Sequence, residues 1–256
     1  MRGIIFFSCV VISALVAICL SSTAADAATL TDDFNAGLAS TRWQIGLEEA
    51  SGSPWTVQAP DALGRIRWSK STDSDTSTNL TNISASLWSQ FRLVGNASTS
   101  VKFSFLTFPN AQLGWNEVGL IVRSESAYFE VLRANSVLEG YYTNAGDGFG
   151  WTSDSSTSEI LGVTRTGSTM SAWYDRGNGP VVLGSVTSSS FLGPLQVELI
   201  IVQAVNYPLG RPHTALDVAI DNFTATADSI VPEPASLSLL ALGGVALIRR
   251  RHRVER

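Results

Sequence analysis

The chain has 256 residues, with 22 Asp and Glu against 17 Lys and Arg, a net charge of −5 and 45% hydrophobic residues. Six of the basic residues (Arg2, Arg249, Arg250, Arg251, Arg253 and Arg256) stand at the ends and lysine occurs only at Lys70 and Lys102, so no basic patch remains for a phosphate backbone and nucleic acid is excluded as a partner. Both cysteines, Cys9 and Cys19, lie near the N-terminus, which leaves the rest of the chain without a disulfide framework, a thiol nucleophile or thiolate metal ligands.

Arg2 precedes an apolar run from Ile4 to Leu20, and small residues then lead to Ala25-Asp26-Ala27. That order predicts a secretory signal helix over residues 1–27, removed after Ala27. A lipid-bearing Cys19 is the alternative, but Ile18 stands where such sites carry a small residue.

The body, residues 28–228, opens with Asp32-Asp33-Phe34-Asn35 and Trp43, and Ser69 to Thr78 reads as a polar loop. Val101 to Phe105 alternates apolar and polar, as a strand with one buried face does. Glu117 to Arg123 is apolar on both faces and predicts a central strand; Ser124-Glu125-Ser126 turns it into a hairpin with Tyr128 to Arg133. Further strands are expected over 137–142, 159–165, 169–175, 181–186, 195–203 and 215–223, separated by turn residues such as Asn144 to Gly148 and Asp175 to Pro180. Short strands at this spacing predict one all-β domain, a sandwich or barrel.

Residues 229–234 read as a linker containing Pro232, Glu233 and Pro234. An apolar stretch over 235–248, with Gly243-Gly244, follows, and the chain closes on a basic tail over 249–256. The apolar stretch falls short of the roughly 20 residues that span a bilayer comfortably, yet it predicts a short hydrophobic helix holding the chain at a membrane. Arg249, Arg250 and Arg251 would stay cytoplasmic and leave the body outside. These three parts, in this order, resemble the PEP-CTERM sorting signal. The resemblance implies an exosortase-type processing enzyme as partner, cleavage near Pro232-Glu233-Pro234, and release or transfer to the cell surface, often in bacteria that make exopolysaccharide.

Within the body, the opening strand with Trp43, the hairpin from Asn116 to Asn135, the hairpin from Val163 to Ser185 and the segment from Ala215 to Ala227 together resemble the concanavalin A-like lectin and glucanase superfamily, laminin-G-like modules included. An antiparallel jelly-roll β-sandwich is what this implies. Glucanases of that superfamily carry alternating carboxylates on one strand in the form E-x-D-x-x-E, and no such motif occurs here. The nearest approach, Leu216 to Asp221, has acids four apart and no glutamate; the body's lone histidine is His213. No catalytic residue is assigned, and the expectation is a non-catalytic surface or matrix protein that binds polysaccharide. Trp115 and Trp151, with Tyr141 and Tyr142, are the candidates for stacking on sugar rings, while Trp43 and Trp173 are expected in the core. Asp32, Asp33 and Asp221 come together if the first and last strands are neighbours, and would offer oxygens to a structural calcium ion. A divergent glycan-degrading or glycan-modifying enzyme and a ligand-free structural envelope protein are the alternatives. Paired carboxylates on an open face would favour the enzyme, exposed aromatics the binding protein, and a closed face the structural one.

Overall fold

The computed structural model describes residues 27–48, 55–58, 60–71, 82–108, 115–136, 140–145, 150–204 and 215–233. The strands are β1 (Ala28–Asp32), β2 (Trp43–Glu48), β3 (Thr56–Gln58), β4 (Ile66–Lys70), β5 (Asn82–Thr107), β6 (Trp115–Arg123), β7 (Tyr128–Ser136), β8 (Gly140–Asn144), β9 (Trp151–Ser153), β10 (Ser158–Thr166), β11 (Thr169–Asp175), β12 (Val181–Thr187), β13 (Leu195–Ala204) and β14 (Leu216–Pro232). No helix among the described residues is long and apolar enough to cross a membrane. The signal helix, the hydrophobic helix over 235–248 and the arginines Arg249, Arg250 and Arg251 lie outside the described residues.

β5 organises the sandwich because it serves two sheets. Its first half pairs with β2 on one side and β13 on the other, and the first sheet continues through β6, β7, β8 and β9. Its second half lies between β10 and β14; β11 and β12 extend that sheet one way, and β1, β4 and β3 the other. All these pairings are antiparallel. The change of sheet falls at Gly95, whose φ of +78° suits glycine and whose missing side chain leaves room for Asp228. Arg165 holds the same corner from inside, 1% exposed, donating to the carbonyls of Gly95 (2.6 Å), Phe191 (2.7 Å), Gly193 (2.5 Å) and Leu93 (3.4 Å).

Alternation sorts each strand into faces. Val118, Leu120 and Val122 of β6 point into the same core as Val101 and Phe103 of β5 and Leu161 and Val163 of β10. At one end Trp43 meets Phe223 edge-on at 4.9 Å and Phe91 at 5.9 Å, with Phe34 at 6.0 Å. Such ring pairs add about 0.5–1.5 kcal/mol each beyond the area they bury.

The sequence-based bounds need correction in four places. Strand β5 runs from Asn82, far beyond Val101 to Phe105, because its Ser-rich first half is a strand between two others. Ser69 and Lys70 end β4 and pair with Asp217 and Leu216, so they do not open a loop. The strand expected over 137–142 is β8, set later, at Gly140–Asn144. The residues read as a linker from 229 onward are strand through Pro232, paired with β5 as far as Phe91. A proline at a strand's end costs little, so Pro232 does not stop the pairing before it.

Candidate functional site

The side of the first sheet turned away from the core carries exposed Tyr128 and Trp151 beside half-buried Trp88 and Arg123. Antiparallel register sets Trp88 of β5, Glu198 of β13, Ile121 of β6 and Glu130 of β7 opposite one another in one row across the strands. One row along, Arg123 lies opposite Tyr128. The Arg123 guanidinium sits between two rings, 5.3 Å from the Trp88 centroid and 5.2 Å from that of Tyr128, and its Nε donates to Glu198 at 2.7 Å. Glu198 is buried and Tyr128 is 52% exposed. Gly46 of β2 leaves room for the indole, since a Cβ there would stand 2.8 Å from Ser86 Oγ and 3.1 Å from Trp88 Nε1.

Trp151, 67% exposed, belongs to the same side of the sheet, in the row of Gly119 and Leu132. Trp115 begins β6, half-buried, in phase with Glu117 and Arg123. Tyr141 and Tyr142 occupy β8 opposite Asn135 and Ala134; their side chains lie outside what is described. The structure thus brings Trp115 and Trp151 to one face and adds Trp88, Arg123 and Tyr128, which the sequence reading passed over. The signal for Trp88 was the alternation of Ser84, Ser86 and Trp88 with Ala85 and Leu87. Trp43 is in the core as expected. Trp173 is not: it lies on the outer side of the second sheet over Gly162, with Nε1 donating to Thr164 at 3.1 Å. Met170 and Ala172, out of phase with it on β11, are the ones that face inward.

The first and last strands are indeed neighbours, with Asp32 opposite Phe223. The carboxylates of Asp32, Asp33 and Asp221, however, are occupied by nitrogen donors. Asp32 accepts from Phe34 N and Trp43 Nε1, both at 3.0 Å. Asp33 accepts from Asn35 N (3.2 Å) and its Nδ2 (2.7 Å), and Asp221 from Asn222 N (2.8 Å) and its Nδ2 (3.1 Å). Each of these oxygens thus already accepts one N–H, which leaves its second lone pair. Among the described residues no group of three or more His, Cys, Asp or Glu is placed to hold a metal.

A charged cluster is enclosed between the sheets. Arg133 of β7, Asp154, and Glu159 of β10 have side chains 1%, 1% and 0% exposed in their ion pairs, and Arg176 closes the cluster from outside, 2.7 Å from Asp154 Oδ2. Thr143 places its hydroxyl 2.9 Å from Asp154 and 3.2 Å from Glu159. Burial, followed by the hydrogen bond and repulsion from Asp154, pushes Glu159 up to about 8, against the pull of Arg133 and Arg176. Burial also works against the charge of Asp154, but hydrogen bonds from Glu159 and Ser156 and the charge of Arg133 outweigh it and hold the group at about 2. The pair divides as a protonated acid beside a carboxylate.

Two antiparallel sheets joined through one bent strand, with the first and last strands side by side, define a jelly roll of the concanavalin A-like lectin and glucanase type. Solved structures agree. One is from work on endo-acting O-glycanases expressed by prominent members of the human gut microbiota; it aligns over 80% of this chain and 98% of its own at 11% identity, TM-score 0.53. The β-glucanase of Bacillus licheniformis aligns over 78% and 97% at 12% identity, TM-score 0.52. The GH43 protein BlXynB of the same species aligns over 79% of this chain and 39% of its own, at 14% identity and TM-score 0.50. At such identities the likeness carries the fold and nothing further. No curated protein matches the sequence. The profile of the PEP-CTERM protein-sorting motif matches residues 231–253, which marks the chain as exported and directed to the cell surface through an exosortase.

Proposed function

We propose that this is a non-catalytic surface or matrix protein that binds polysaccharide on the outer face of its first sheet. The observation that carries the reading is the stack of Trp88, Arg123 and Tyr128, braced by Glu198 beneath, on the same face as the exposed Trp151. Rings held by a guanidinium between them and partly open to solvent offer apolar surface for pyranose faces, and the guanidinium offers donors for hydroxyls. Four residues along β7 and two strand spacings separate Tyr128 from the Trp151 position, roughly 16 Å at about 3.3 Å per residue and about 4.8 Å per strand. That span suits several sugar units better than one. Export to the surface of the cell fits a protein whose ligand is an extracellular glycan.

The competing reading is a glycan-degrading or glycan-modifying enzyme, favoured by Asp154 and Glu159, whose proton affinities are driven apart as those of an acid and base pair are. Their enclosure keeps a sugar ring from reaching them. On the outer face, Glu198 is committed to Arg123. The test is an insoluble-polysaccharide pull-down and glycan array on the exported protein, with reducing-sugar release followed in the same tubes. Trp88→Ala, Tyr128→Ala and Trp151→Ala should each weaken binding by about fivefold or more, on the order of 1 kcal/mol, and Trp173→Ala, on the other sheet, should not. Sugar release abolished by Glu159→Gln would establish the enzyme instead, and no binding to any polysaccharide would leave the structural envelope protein.

A further inference from the structure

The sorting motif begins on the folded body. Ser229, Ile230, Val231 and Pro232 lie opposite Val94, Leu93, Arg92 and Phe91 of β5, and Glu233 continues the pairing, its N–H donating to Gln90 O at 3.0 Å. The Glu233 carboxylate meets the Arg92 guanidinium with Oε1 3.1 Å from Nε and Oε2 3.4 Å from Nη2. Both side chains are more than seven-tenths covered, at 26% and 17% exposure. The central residue of the Pro-Glu-Pro segment is therefore turned onto the sandwich, with its charge already matched.

We propose that the folded body withholds the sorting motif, so that processing waits on local opening of the end of β14. The proposal rests on the sorting reading of residues 231–253 and not on glycan binding. An enzyme that cleaves a peptide takes it as an extended chain whose backbone groups pair with the enzyme. Here one edge of the backbone of 229–233 is paired with β5, and those groups cannot serve both partners. Strand ends open more readily than strand centres, so the device sets a rate and not an absolute bar. Arg92 acts as a positioning residue: it touches Glu233, and its loss leaves the motif's own sequence intact. The consequence is an order of events, in which the body folds outside the membrane while the chain is still held, and the tail is cleaved off afterwards.

The experiment is a pulse-chase of the full chain in an exosortase-carrying host, reading loss of the tail by mass, with an exosortase-deficient strain as blank. Arg92→Gln should speed processing by up to roughly fivefold, the opening gained when this largely covered ion pair is lost. Glu233 is left unchanged because it lies in the sorting motif. Val94→Cys with Ser229→Cys places a disulfide across two facing residues, within the Cα separation such bonds need. It leaves Arg92 and Glu233 in place, and both native cysteines lie in the N-terminal segment. Under oxidising conditions this variant should lose processing, and dithiothreitol should restore it. Processing of the clamped chain at the wild-type rate, or slower processing of Arg92→Gln, would overturn the proposal alone. A wild-type chain left whole in the carrying host would overturn the sorting reading and the proposal together.

Discussion

Glu159 faces Asp154 across a single hydroxyl, that of Thr143, with Arg133 on the same inner side of the first sheet and Arg176 closing the cluster from outside. Burial and the neighbouring Asp154 favour the protonated form of Glu159, against the pull of the two guanidinium groups.

A definite pH dependence follows. Glu159 binds its proton more tightly folded, at about 8, than its ordinary 4.5, so the native state holds a proton that the unfolded chain releases across that interval. Stability falls as pH rises from about 4.5 to 8 and levels off above. Asp154 acts oppositely: its contribution is present above its ordinary 3.8 and is lost as pH falls toward 2. Urea midpoints should therefore decline from pH 5 to pH 8, and Glu159→Gln should flatten that decline. Parallel decline of the variant and wild type would show that Glu159 is charged in the fold.

Arg165 donates to four backbone carbonyls at the corner where β5 changes sheets. Arg165→Leu leaves those acceptors without a donor, each costing about 1–3 kcal/mol when buried, and should lower stability by at least about 3 kcal/mol. Arg165→Lys should rescue only a fraction, because an ammonium cannot reach four acceptors set around a planar fork. Chemical denaturation of both variants checks this.

Gly119 sits in β6 with the Val131 carbonyl and the Leu132 side chain where a Cβ would go. Gly119→Ala should destabilise by about 1–3 kcal/mol, the usual cost of overpacking. Gly193→Ala, which meets nothing within 4 Å, should stay within about 0.5 kcal/mol. Equal midpoints for the two would mean that β6 and β7 lie further apart than described.

Chelation should leave the protein unchanged. The oxygens of Asp32, Asp33 and Asp221 already accept from N–H groups, and no group of three or more His, Cys, Asp or Glu among the described residues is placed to hold a metal, so the melting temperature is expected to be the same in EDTA and in millimolar calcium. Asp32→Ala, by contrast, frees the Trp43 indole and the Phe34 amide and should cost about 2 kcal/mol at either condition. A melting temperature that rises with calcium would restore the metal reading.

The strands and their antiparallel hairpins were legible from one sequence because burial on one face imposes a period of two, as in β7, β11 and β13. What misled were segments where that signal weakens. The first half of β5 is rich in serine, and the residues before Pro232 resemble a linker in composition; the first is a strand because β2 and β13 flank it, the second because β5 pairs with it along one edge.

Sequence alone determined the address and the class: the order of proline, apolar run and arginines is local, and so is strand alternation. Tertiary structure alone decided the sites. Trp88, Arg123 and Tyr128 are brought together by the register of strands distant in the chain, and Trp173 and Trp43 are sent to opposite environments by phase. Glu233 is tied to Arg92 across 141 positions of chain. Register couples residues by strand pairing and not by sequence distance, and composition carries no trace of it.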